Sequence, residues 1–153
     1  MRFARTRNKL AIIVAFVLIA ALIGAVIVLA VNLNKQITTK TVGASAFTQG
    51  SLDENGKVVK SDENIYSKDY IKVDGLKVVV KEKADIEYKL YFYGEDKAFI
   101  SASADWLTVD LDSSTIPEGA CFVRVVINPV EDNDINLFEI AKYAKQLTIT
   151  YNK

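Results

Sequence analysis

The chain has 153 residues, 19 basic and 19 acidic side chains, no histidine and one cysteine. The missing histidine removes Ser/His/Asp and Cys/His catalysis and every imidazole metal site. The zero net charge hides an asymmetry: six basic residues lie at or before Lys40, leaving 13 basic against 19 acidic beyond it, a formal −6 that argues against a nucleic-acid partner.

Residues 1–9, MRFARTRNK, carry four positive charges and no negative one. Residues 10–31, LAIIVAFVLIAALIGAVIVLAV, form a run of 22 without a charged side chain. As a helix rising ~1.5 Å per residue, a run of this length reaches ~33 Å and crosses a bilayer core of ~30 Å. Basic residues stay on the cytoplasmic side, so the reading is a basic cytoplasmic tail, an uncleaved single-pass anchor and an extracytoplasmic remainder. A cleaved signal peptide would have a shorter apolar core, ~7 to 15 residues, with a small-x-small site close behind; here the best such site, Ala44-Ser45-Ala46, lies well past the run. Ala20 and Gly24, like Ala21 and Ala25, are four apart, a spacing that lets two membrane helices approach and so makes a homodimer through the helix a candidate. The same residues are common in any membrane helix.

Residues 32–46 are polar, threonine-rich and without a period, which reads as a linker. Residues 47–153 read as one domain, large enough for a core without disulfides. From Phe47 the pattern turns to period two. Asn55-Gly56 signals a hairpin before Val58-Val59. Tyr70–Val73 alternates, then Asp74-Gly75 turns into Leu76–Val80. In Tyr88–Tyr93, Tyr88, Leu90 and Phe92 share one face, and Lys89, Tyr91 and Tyr93 the other. The turn from Gly94 to Lys97 leads into Ala98–Ser101. Trp106–Leu111, Phe122–Ile127 and Leu147–Tyr151 complete the expected strands, with a short helix from Leu137 to Lys145 at helical spacing. The pattern predicts an all-β protein, an antiparallel β-sandwich of immunoglobulin or jelly-roll kind behind one N-terminal transmembrane α-helix.

Tyr70-Ile-Lys-Val73, Tyr91-Phe-Tyr-Gly-Glu-Asp-Lys-Ala-Phe-Ile-Ser101 and Ile116-Pro-Glu-Gly-Ala-Cys-Phe-Val-Arg124 together resemble jelly-roll, galactose-binding-like modules of Gram-positive bacterial and phage surface proteins. The order of anchor, linker and domain, ending in Tyr143-Ala-Lys-Gln-Leu-Thr-Ile-Thr150, is also similar to small single-pass membrane proteins of Firmicutes. The resemblance runs from about Ile65 to Tyr151 and describes strands and turns. It departs at Phe122, where the group often has tyrosine, and at Cys121, where lysine is common. It implies a jelly-roll fold and includes carbohydrate-binding relatives, although a fold does not transmit a function.

Four residues are candidates for binding. Trp106, the only tryptophan, could stack on a sugar ring or fill the core. Tyr91, Tyr93 and Arg124 share the face expected to point outward, where the arginine fork could grip a ligand or brace the sheet. Glu131, Asp132 and Asp134 are candidate oxygen ligands for a structural calcium, against the plainer reading of a solvated acidic loop; no other cofactor is expected. Asp105, Asp110 and Asp112 could supply the two carboxylates of a glycosidase, yet acids at strand ends are usually only solvated. Cys121, beside Phe122, reads as a small buried hydrophobe. The expectation is a non-enzymatic, membrane-tethered module that binds an envelope ligand or glycan. The alternative is a structural subunit docked on a larger envelope complex.

Overall fold

The computed structural model describes residues 19–23, 38–131 and 134–153. The chain divides into a unit ending at Ile37 and a unit of Thr38–Lys153. The apolar run 10–31 lies outside the described residues except for 19–23, which are helical. Gly24 and Ala25 of the proposed dimer face also lie outside them. Among the described residues no helix is long and apolar enough to cross a membrane.

The second unit is built on antiparallel sheets. Its strands are β1 (Thr39–Thr41), β2 (Phe47–Gln49), β3 (Ser51–Leu52), β4 (Val58–Val59), β5 (Ile65–Ser67), β6 (Ile71–Lys72), β7 (Lys77–Val80), β8 (Ile86–Tyr93), β9 (Phe99–Ala102), β10 (Phe122–Pro129) and β11 (Leu147–Asn152). One sheet runs β1-β11-β7. A larger one runs β2-β5-β10-β8-β9, with β6 also paired to β10, and β3 and β4 pair as a separate two-stranded hairpin. Between the first two lies one core: Val78, Leu147 and Ile149 from the small sheet meet Ile65, Tyr88, Leu90, Phe92, Val123, Val125 and Ile127 from the large one. This is the β-sandwich that the alternating pattern predicts.

Residues read as linker join the fold. Thr39–Thr41 pairs with β11 in the register Thr39↔Asn152 to Thr41↔Thr150, and a 3₁₀ turn at Ala44–Ala46 leads directly into β2. β1 carries no apolar period because all three of its residues are exposed.

Trp106–Leu111 departs from the expected strand in an informative way. Leu107 makes one antiparallel bridge to Tyr88, with N···O distances of 2.8 and 2.9 Å. The chain then crosses to the small sheet, where Leu111 N–H donates to Val78 O at 2.9 Å and Asp110 Oδ1 accepts from Val80 N–H at 2.8 Å. A segment that bonds both sheets cannot remain in one ladder. It closes the side of the sandwich and occupies the outer edge of β7, an edge that would otherwise invite another strand.

The helix is shorter than its apolar spacing implies, Ile140–Ala144, with Tyr143 and Ala144 buried. Side chains hold the turn ahead of it: Asn136 Oδ1 accepts from Phe138 N–H at 2.9 Å, and Glu139 Oε2 accepts from Asn136 N–H at 3.1 Å.

Candidate functional site

The large sheet has a second face, and Tyr91, Tyr93 and Arg124 do lie on it. The register sets Tyr91 opposite Arg124 and Tyr93 opposite Phe122. That face is covered, however. Tyr91, Tyr93 and Arg124 are only 6, 2 and 6 % exposed. The expectation that they form an outer surface is therefore corrected: strand alternation fixes which side a residue takes, and here the β3–β4 hairpin lies over that side.

Tyrosine hydroxyls hold the hairpin down. Tyr91 Oη donates to Leu52 O at 3.0 Å and Tyr93 Oη to Gly56 O at 2.7 Å. The Asn55-Gly56 signal marks a five-residue loop, in which Asp53 Oδ1 accepts from Asn55 and Lys57 N–H at 2.9 and 2.8 Å. Gly56 has φ +70°, and a Cβ there would stand 2.6 Å from Tyr93 Oη and 2.7 Å from the Phe99 ring. Both the backbone and the space under the hairpin require glycine. Burial raises the Tyr93 phenol to about 12, partly countered by Arg124. Tyr88, buried on the core face, is likewise raised to about 12 by burial and then by Asp110.

Arg124 fills a gap in the ladder. β10 pairs with β5 at Val126 and Ile127 and with β6 at Phe122 and Val123, so Arg124 and Val125 have no strand partner on that side. Ser67 Oγ accepts from Val125 N–H at 3.0 Å instead. The guanidinium donates to Ser67 O from Nε and Nη2 at 3.1 and 2.8 Å, and to Lys68 O at 3.2 Å. It sits 5.0 Å from the Tyr66 ring centre and 5.4 Å from that of Tyr70, while Lys97 Nζ lies 5.1 Å from Tyr70. Carbonyl dipoles and ring faces take up the buried charge. Trp106 is half-buried and packs against the same cluster of Leu52, Tyr91, Tyr93 and Val126. The four candidate residues are thus brought to one face, with three of them beneath its surface.

Of the proposed calcium ligands, Asp132 lies outside the described residues, and Glu131 and Asp134 are exposed. Among the described residues no group of three or more His, Cys, Asp or Glu side chains could hold a metal ion. Asp110 bonds the edge of β7, and Asp112 caps the 3₁₀ turn at Ser113–Thr115. Asp112 Oδ1 accepts from Ser114 N–H at 2.9 Å, and the hydrogen bonds from Ser114 lower its carboxyl below the usual range. Cys121 is exposed rather than buried, because it stands in the turn before β10 with its Sγ facing Gly119 O.

A concave site lies elsewhere, where the small sheet leaves the β8–β9 side of the core to the 111–120 segment. A cleft of about 300 Å³ opens there, lined by Leu90, Phe92, Ala102, Leu107 and Pro117 with Ser101, Ser103, Asp105 and Thr115 among its polar residues. Ser103 Oγ accepts from Leu90 N–H at 3.2 Å and donates to Asp105 O at 3.2 Å, which fixes the loop carrying Asp105 against β8. Sequence reasoning missed this cleft except for Asp105. Its walls come from three separate segments, and the sole local signal is the small, polar run from Ser101 to Asp105.

The fold and cleft define a class, a two-sheet antiparallel β-sandwich with an edge cleft. Protein-family models, curated proteins and solved structures all contain no match to this chain.

Proposed function

We propose that this protein is a single-pass, membrane-anchored module with its sandwich outside the cytoplasm, and that it binds a small hydroxylated ligand, foremost a glycan unit, without turning it over. The cleft carries this reading. An apolar floor beside hydroxyls and one carboxylate suits the C–H face and hydroxyl edge of a sugar, and its volume lies at the small end of ligand sites. The 22-residue apolar run behind a basic tail supports the tether. The resemblance to jelly-roll surface modules supports both the envelope setting and the finer fold. Among the described residues Asp105 is the one carboxylate lining the cleft, while Asp110 and Asp112 accept backbone N–H groups outside it.

The test is binding of the purified protein to a glycan array, repeated with Ser101→Tyr, which fills the cleft from the edge strand. Binding lost at an unchanged melting temperature supports the reading. Binding that survives the filled cleft sinks it.

The second reading, a subunit docked on a larger envelope complex, is favoured by one observation. Leu137 and Phe138 are 70 and 95 % exposed in the turn ahead of the helix. Under this reading, Phe138→Ser would shift the size of the native complex and leave glycan binding unchanged.

A further inference from the structure

The cleft has a charge character that narrows its ligand. Among the described residues Asp105 is the only ionisable one lining it, and no basic residue does. The rest of the domain reinforces this sign, with 13 basic against 19 acidic residues beyond Lys40. Several other aspartates are committed: Asp53, Asp96, Asp110 and Asp112 all accept backbone N–H groups. Asp105 differs. Only its carbonyl is used, by Ser103, and its carboxylate caps nothing among the described residues. It is exposed at the rim, on a loop that Ser103 pins to β8. Below it the floor is apolar, and Ser101 offers a hydroxyl on the edge strand.

We infer that the cleft takes an amine-bearing sugar: an amino-sugar unit of a glycan, its ammonium on the Asp105 carboxylate and its C–H face on Leu107 and Pro117. The inference rests on the binding reading above and names its ligand class. An acetylated amine carries no charge and would forfeit the charge-assisted bond. A phosphorylated or carboxylated sugar would meet the carboxylate at the rim and be repelled.

The experiment uses the full chain in nanodiscs of neutral phosphatidylcholine, so that lipid charge does not contribute. The probes are a β-1,4-linked glucosamine oligomer, its N-acetylated counterpart, and ethanolamine, with binding followed by calorimetry at low and high salt. The glucosamine oligomer should bind about tenfold tighter than the acetylated one. That margin should shrink in high salt. Asp105→Asn should abolish the margin at an unchanged melting temperature, and Ser101→Tyr should abolish binding altogether. Equal affinity for both oligomers, lost with Ser101→Tyr, would overturn the amine preference and leave the glycan-binding reading standing. A margin that persists in Asp105→Asn would assign the amine to the acidic surface at large and overturn the site. Ethanolamine binding as tightly as the oligomer would overturn the sugar assignment. No binding of either oligomer would overturn the inference, and an array without ligands would remove the reading beneath it.

Discussion

Arg124 shows how one side chain substitutes for backbone. Between β5 and β6 the chain leaves β10, and a planar fork supplies the missing donors to Ser67 O and Lys68 O. Lysine keeps the charge but lacks the fork and the flat face that lies between Tyr66 and Tyr70. Arg124→Ala should cost about 2 to 3 kcal/mol, since two carbonyls lose a charged donor in a buried place. Arg124→Lys should recover only part of that. Urea denaturation measures both, and a lysine variant as stable as the parent would reduce the brace to simple charge. Tyr93→Phe removes one hydroxyl bond, to Gly56 O at 2.7 Å, and should cost about 1 kcal/mol. The same change at Tyr151, which lies in β11 and tethers no hairpin, is the comparison.

At the scale of elements, the hairpin and β1 are the parts that the rest of the chain explains. A two-by-two-residue hairpin is too small to stand alone and owes its position to the tyrosines beneath it. β1 performs a complementary task by covering the outer edge of β11. A soluble fragment beginning at Ala46 would lack β1 and expose that edge, whereas one beginning at Thr38 retains it. The shorter fragment should melt several degrees lower and aggregate more readily, as scanning calorimetry and light scattering would show. Equal melting of the two fragments would mean that β1 is dispensable.

For the whole molecule, the absence of histidine removes the one side chain that ordinarily titrates near neutrality. The Tyr88 and Tyr93 phenols are raised to about 12 in the fold. A raised phenol favours the neutral folded form, so its stabilising effect is complete below the unfolded value of about 10. It is lost as pH climbs from there through about 12. Stability should therefore decline steeply across that alkaline window, with a matching rise in tyrosinate absorbance near 295 nm, roughly where phenolates of pKa ~10 are usually followed. Absorbance rising fully while the protein stays folded at pH near 10 would contradict the burial of these rings. Protease added to intact cells should remove the domain and leave residues 10–31 in the membrane, the outcome required by the proposed N-inside orientation.

What the sequence determined by itself was whatever depends on local periodicity and on single special residues. Period two placed β7, β8, β9, β10 and β11, and assigned Leu90 and Phe92 to one face with Tyr91, Tyr93 and Arg124 on the other. Asn55-Gly56 announced the hairpin, and helical spacing announced the helix before β11. Tertiary structure decided what covers each face, because a strand's pattern states which residues point together but not what lies opposite them. Trp106–Leu111 alternates like a strand, yet it is divided between two sheets by Tyr88, Val78 and Val80, which lie far from it in sequence. Thr39–Thr41 has no apolar signal and is a strand because β11 offers an open edge. The cleft belongs to the same category. It exists only because the 101–107 and 115–117 segments come together beside Leu90 and Phe92 and leave room between them.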